Sequence, residues 1–335
     1  MDDSVVVVTG ASAGVGRALV RALGARGARV ALLARGPVGL EAAAAEVRDA
    51  GGEALVLPTD VADADQVFAA ADAVVERWGR IDLWINNAMT TVFSRAWQVT
   101  PEEFRRVTEV TYLGQVNGAL AALRQMRQQG RGRILQVGSA LAYRSVPLQS
   151  AYCGAKAAVR GFTDSLRTEL EHENSAIRLT MVHLPAVNTP QFDWARTKMG
   201  AAPQPVPPIY APADVARQIL RAADTCPREM WIGAPAVESI LGTLAVPAIM
   251  DRMMARDAWD SQMGEALETG ARPDNLFTPV DRDMGADGRF GSRTRGDVTA
   301  WPAGAVRLGL AAAGVVGVLG AGWLVAQAAK RGRGA

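Results

Sequence analysis

Short β-branched runs alternate with amphipathic stretches through the first two-thirds of the chain. "SVVVVTG" is an unbroken apolar run, the pattern of a strand buried on both faces. "VGRALVRALGARG" follows with apolar positions at helical spacing and a glycine stop. The strand "RVALLAR" and the helix "GLEAAAAEVRDAGG" repeat the unit, and "EALVLPTD" and "IDLWINNA" are strands flanking the helix "ADQVFAAADAVVERWG". Thr100, Pro101 and Glu103 supply the N-cap, first residue and third-position carboxylate of a long helix through "EEFRRVTEVTYLGQVNGALAALRQM". The strand "GRILQVGS", a helix containing "LQSAYCGAKAAVRGF", the strand "IRLTMVHLP", a Pro-rich segment, the helix "ADVARQILRAA" and the strand "EMWIGAP" complete the series. Strict alternation with right-handed crossovers predicts an α/β fold, a doubly wound parallel sheet of seven strands with helices on both faces.

The pattern changes near Ala236, which divides the chain into an α/β domain over 1–235, an extension over 236–302 and a terminal segment over 303–335. The extension opens with helical sequence, "AVESILGTLAVPAIMDRMM", and continues as a charged, Gly/Arg-rich stretch from Gly270 to Gly296 expected to be irregular. Leu308–Ala326 holds nineteen uncharged residues, about 28 Å as a helix, close to a hydrocarbon core of about 30 Å. Arg307 precedes it, Lys330, Arg331 and Arg333 follow it, and Gly309, Ala313, Gly317 and Ala321 form a stripe suited to close helix pairing. A membrane anchor through 308–326 is the expectation, with a buried or oligomerising Ala/Gly-rich helix as the alternative.

Composition narrows the classes. Hydrophobic residues make up 49% and charged residues 21% of the 335, enough apolar material for a large core. A net charge of +2 gives no field to recruit nucleic acid. Two cysteines, Cys153 and Cys226, cannot build a disulfide framework, and with two histidines no metal site is expected. The opening "MDDSVVVVTG" is not the pattern of a signal peptide, so the α/β domain is expected on the cytoplasmic side.

After the first strand comes "TGASAGVGRA", with glycines at 10, 14 and 16 between a strand and the N-terminus of a helix. Glycines there let the backbone turn sharply and approach a pyrophosphate, which the free N–H groups and helix dipole stabilise. Gly10, Ser12, Ala13, Gly14, Val15 and Gly16 are therefore candidate dinucleotide contacts. At the end of the second strand an acidic residue would favour NAD and an Arg the 2′-phosphate of NADP. The chain has Ala34 and then Arg35, so NADP(H) is the expected cofactor and NAD(H) the alternative. Tyr152 and Lys156 lie four residues apart, which on a helix aligns a phenol and an ammonium one turn apart.

Together these residues resemble the short-chain dehydrogenase/reductase family, a Rossmann fold, over about residues 4–235. Thr9–Gly16 matches its T-G-x-x-x-G-x-G turn, Asn86–Ala88 its N-N-A, and Tyr152–Lys156 its Y-x-x-x-K, with Ser139 thirteen residues upstream. The resemblance implies adenine contacts from Asp60 and Val61, and cofactor contacts from Asn87, Ala88, Tyr152, Lys156, Pro185, Val187 and Thr189. It implies Tyr152 as acid or base, Lys156 drawing down the phenol pKa and binding the nicotinamide ribose, and Ser139 donating to the substrate oxygen. Where the family carries a catalytic Asn this chain has Thr111, which implies a modified proton relay. A homo-oligomer is implied by analogy. Met89, Leu141, Tyr143, Leu148, Phe192 and Trp194, with Trp97 beyond them, are candidate substrate contacts for an apolar small-molecule ketone or alcohol. Two alternatives stand beside the NADP-dependent oxidoreductase: a membrane-tethered cofactor-binding scaffold without turnover, and an epimerase or dehydratase on a related sheet.

Overall fold

The computed structural model describes residues 3–267 and 272–312. The first repeats comprise β1 (Val5–Thr9), α1 (Gly14–Gly24), β2 (Arg29–Ala34), α2 (Pro37–Asp49), β3 (Glu53–Pro58), α3 (Ala64–Trp78) and β4 (Leu83–Asn86). They continue through α4 (Pro101–Thr108), α5 (Gly114–Gln129), β5 (Gly132–Ser139), α6 (Ser150–His172), β6 (Ile177–Leu184), α7 (Pro212–Thr225) and β7 (Glu229–Ile232). The seven strands pair in parallel, in the order β7-β6-β5-β4-β1-β2-β3. This is the doubly wound Rossmann-like sheet that the alternation predicts.

Strand β1 shows why both faces must be covered. All five of its residues are buried. Val6 and Val8 pack with Leu19 and Leu23 of α1, Leu40 of α2 and Ile219 of α7. Val5 and Val7 point the other way, toward Val67 and Val74 of α3, Leu123 of α5 and Leu170 of α6. A period of two within the strand thus feeds two separate cores.

The long helix begins as expected, with the Thr100 hydroxyl and Glu103 carboxylate forming a reciprocal capping box. It is not uniform, because residues Glu109–Leu113 form a π turn between α4 and α5. Next to it, buried Asn86 accepts from Trp84 Nε1 at 2.8 Å and donates to the Gln115 carbonyl at 3.1 Å. Gly118 leaves room for that amide, since a Cβ there would lie 2.0 Å from Asn86 Oδ1.

Beyond β7 the chain forms α8 (Ala234–Ala245) and a short helix, Pro247–Met253. Residues 272–290 then run without helix or strand past the carboxyl ends of the sheet strands. The chain returns as β8 (Ala300–Pro302), antiparallel to β7, an eighth strand beyond the seven expected. Residues 303–312 are helical, and Leu308 and Leu310 are exposed. The expected anchor over 308–326 otherwise lies outside the described residues, among which no helix is long and apolar enough to cross a membrane.

Asn86→Ala strands both of its partners, the Trp84 indole N–H and the Gln115 carbonyl, in a dry core. It is expected to cost about 2–3 kcal/mol, read as a lower urea midpoint with an unchanged slope.

Candidate active site

A cleft of about 680 Å³ opens at the carboxyl ends of the strands, within the size range of small-ligand sites. Its floor is the glycine turn. Gly10 and Gly14 have φ of +69° and +58°, left-handed values at which a side chain is strained. A Cβ at Gly16 would lie 2.0 Å from the Gly10 carbonyl, so Gly16 serves the turn from behind and does not line the cleft. Thr9 Oγ1 accepts from Asn87 N–H at 2.9 Å and Ala88 N–H at 3.0 Å, stitching the end of β1 to the end of β4. No side chain caps α1. Ser12, Ala13, Gly14 and Val15 line one wall, Arg35, Asp60 and Val61 its far end, and Ser139, Tyr152, Lys156, Pro185, Val187 and Thr189 the near end. This length, with a cradle that a Cβ would fill, fits a dinucleotide.

At the near end, β5 delivers Ser139 and α6 delivers Tyr152 and Lys156. Lys156 is buried, its Nζ donating to the Val137 carbonyl at 2.7 Å and lying 5.7 Å from the centroid of the Tyr152 ring. Burial pulls the ammonium down to about 7. Burial pushes the Tyr152 phenol up, with the Ser139 hydroxyl working against it. The sequence leads one to expect the lysine to draw the phenol down; in the protein alone desolvation wins, and a half-discharged lysine lends little field.

Behind Ser139 is a cluster that sequence reasoning missed. His183 Nδ1–H donates to the Ser139 carbonyl at 3.0 Å, and its Nε2 faces Glu229 at 3.7 Å. Burial takes His183 down to about 4, so it is neutral at ordinary pH. Burial alone would raise Glu229, but the facing His183 and then Tyr143 O–H at 2.8 Å, Arg307 at 3.4 Å and Trp231 Nε1–H at 3.2 Å hold it below the usual carboxylate value. His183 and Glu229 come from neighbouring strands and are 46 positions apart in the chain, so no spacing pattern announces them.

Several expected residues lie elsewhere. Thr111 is fully buried with its hydroxyl donating to the Thr90 carbonyl at 2.8 Å and accepting from Thr90 N–H at 3.0 Å, so it is taken up by the backbone and does not line the cleft. Tyr143 turns away to Glu229 and the His183 ring. Leu148 packs inward, and its carbonyl accepts from Ser94 N–H. Trp97 is 78% exposed beside Arg95. Met89, Leu141, Phe192 and Trp194 do line the cleft, joined by Val206, Met254 and Ala258, which the sequence did not single out.

Arg35 is engaged. Its guanidinium donates to the Leu276 carbonyl at 3.4 Å, the Phe277 carbonyl at 3.1 Å and the Asn275 carbonyl. Burial and then the nearby Arg106 pull it below its ordinary value, against Asp60. From there residues 275–290 follow the nucleotide wall. Asp281 Oδ1 accepts from Val38 N–H at 3.0 Å, Asp283 pairs with Arg17 at 3.3 Å, and the Gly285 carbonyl accepts from Gly14 N–H at 3.0 Å. Gly288 N–H and Phe290 N–H then bond the Asn188 carbonyl and side chain at 3.2 and 3.0 Å.

A family model described as short chain dehydrogenase matches residues 4–199. An uncharacterized oxidoreductase of Bacillus subtilis (strain 168), YxnA, is 33% identical over 304 residues, covering 90% of this chain and 83% of that protein. Dehydrogenase/reductase SDR family member 7 of Homo sapiens is 37% identical over 174 residues, 51% of each. Among solved structures, an alcohol dehydrogenase from the archaeon Thermococcus sibiricus, complexed with 5-hydroxy-NADP, is 28% identical with a TM-score of 0.59, covering 69% of this chain and 96% of its own. A short chain dehydrogenase/reductase from Burkholderia phymatum in complex with NAD has a TM-score of 0.67 at 23% identity, covering 75% and 95%, a likeness of fold.

The depressed Lys156 value has a stability consequence with a definite sign. With a folded value of about 7 against 10.5 for the free group, the unfolded chain binds the extra proton between those limits. The cost of burying the lysine is therefore full below about pH 7 and gone above the free value. Lys156→Met should raise Tm of the nucleotide-free protein more at pH 6 than at pH 9, a comparison made by calorimetry.

Proposed function

The chain belongs to the short-chain dehydrogenase/reductase family, and on that footing we propose that it transfers hydride between a nicotinamide dinucleotide and a carbonyl/alcohol pair. The observation that carries this reading is convergence: Ser139, Tyr152 and Lys156 line the same cleft as the glycine turn. The bound nicotinamide supplies or accepts the hydride. The residues do the rest. Tyr152 gives a proton to the carbonyl oxygen in reduction and takes it back in oxidation. Ser139 donates to the same oxygen, steadying negative charge as it develops. Lys156 orients the nicotinamide ribose and stands ready to charge. Thr111 has no proton to offer in this scheme, because Thr90 holds its hydroxyl.

Gly10, Ser12, Ala13 and Val15 would hold the diphosphate, with Gly14, whose N–H the Gly285 carbonyl takes, giving it room; Asp60 and Val61 would hold the adenine, and Asn87, Ala88, Pro185, Val187 and Thr189 the nicotinamide half. Arg35, the basis for NADP(H) over NAD(H), is bound to carbonyls of the extension. Met89, Leu141, Phe192 and Trp194 support an apolar substrate. The same reading has a homo-oligomer with its catalytic domain in the cytoplasm. The uncharged run 308–326 would attach it to a bilayer, beginning directly after Arg307, which stacks on Trp231 at 5.4 Å.

The test mixes the full chain with NADH or NADPH and a panel of aliphatic, aromatic and polycyclic ketones, following loss of reduced-nicotinamide absorbance. Tyr152→Phe should lower turnover about 10²–10⁴-fold while nucleotide affinity stays near that of the parent. Tight nucleotide binding with no turnover across the panel would favour the scaffold reading, and undiminished turnover by Tyr152→Phe would rule out the phenol.

A further inference from the structure

The nucleotide cleft has a wall that the repeating strands and helices do not build. Where β2 runs into α2, no carboxylate follows the strand; Ala34, Arg35 and Gly36 do. In this architecture the adenosine ribose lies at that junction, and the residue there discriminates a free 2′-hydroxyl from a 2′-phosphate. The structure brings a carboxylate to the junction from elsewhere. Asp281 lines the cleft, and its Oδ1 accepts from Val38 N–H, one of the free donors of the first turn of α2, at 3.0 Å. It is so close to the strand end that a Cβ on Gly36 would lie 2.9 Å from the same oxygen.

On this basis, and resting on the dinucleotide reading above, we propose that Asp281 is a specificity-determining residue that makes the cleft prefer NAD(H) to NADP(H). Three observations support it independently of the sequence position of Arg35. First, the anion position at the N-terminus of α2, where helix donors favour negative charge, is already held by the protein's own carboxylate. A ribose 2′-hydroxyl can donate to that carboxylate. A 2′-phosphate, carrying nearly two negative charges, meets like charge at close range. Second, three hydrogen bonds of the Arg35 guanidinium go to the carbonyls of residues 275–277, which leaves fewer of its donors for a phosphate. Arg106 beside it bonds Asp60 and the Leu276 carbonyl. Third, the carboxylate is held in place from both sides, by Arg35 upstream and by the bonds of Asp283 and Gly285 to Arg17 and Gly14 downstream. An acid fixed before the ligand arrives loses little freedom on binding. Arg282 is the neighbouring cation; it lines the cleft as well, with its Nε directed to the Met284 sulfur at 3.0 Å, and Asp281→Asn leaves it in place.

Isothermal titration calorimetry of the full chain with NAD⁺ and NADP⁺ tests this without requiring a substrate. ADP and adenosine 2′,5′-bisphosphate serve as probes of the adenosine end alone. The parent is expected to bind NAD⁺ at least tenfold more tightly than NADP⁺, and ADP more tightly than the bisphosphate. Asp281→Asn keeps an acceptor for Val38 N–H and removes the charge, and should shrink both ratios at least fivefold, chiefly through a gain for the phosphorylated ligands. Asp281→Glu, which restores the charge, should keep the preference. Matched melting curves establish that the variants are folded. A parent that binds NADP⁺ as tightly as NAD⁺ or more so, or ratios that Asp281→Asn leaves unchanged, overturns the assignment. A folded parent that binds neither dinucleotide overturns the hydride-transfer reading and the inference with it.

Discussion

The hydrogen bond from Lys156 Nζ to the Val137 carbonyl, 2.7 Å long and fully buried, ties the reacting end of the molecule together. Val137 is two residues before Ser139 on β5, and Tyr152 is one helical turn before Lys156 on α6. One bond between strand and helix therefore sets serine, phenol and lysine relative to each other. An ammonium so placed gives up its hydration shell, and its pKa falls toward neutrality in consequence. The same burial that fixes the geometry makes both titrating groups dependent on whatever charge a bound nucleotide brings.

The serine is held from the other side as well. His183, buried, donates to the Ser139 carbonyl and faces the Glu229 carboxylate that Tyr143, Trp231 and Arg307 also contact. Arg307 belongs to the segment after β8, so the chain beyond β7 reaches the back of the strand that carries Ser139 as well as the rim of the cleft. Through residues 275–290 it also touches α1, α2 and the loop after β6. The extension thus shares in building both ends of the site, and its hydrogen bonds run to main-chain groups that a bare sheet and its helices would leave to water.

The displaced candidates have a common physical cause. Thr111 stands where the family carries its Asn, and Tyr143 and Leu148 lie close in sequence to the site, yet each has a stronger claim on it nearby: a backbone amide and carbonyl for Thr111, a buried carboxylate for Tyr143, and the core for Leu148. A hydroxyl in a dry interior goes to the partner that satisfies it. Met89 and Leu141 line the cleft, and Phe192 does so with its ring against Phe93 and Phe290.

Local patterns determined a great deal from sequence alone. The β1 run, the amphipathic helices and their glycine stops specify strands and helices because periods of two and 3.6 depend only on neighbours. The turn from Gly10 to Gly16 and the Tyr152/Lys156 pair are legible for the same reason, each lying within a few residues of chain. What the sequence did not show is where residues 272–290 go, since a coil without periodicity carries no instruction about the surface it meets. Arg35 read alone is a free cation at a strand end. Only the tertiary structure hands its guanidinium to carbonyls more than two hundred residues away and brings Asp281 to the first turn of the helix that follows.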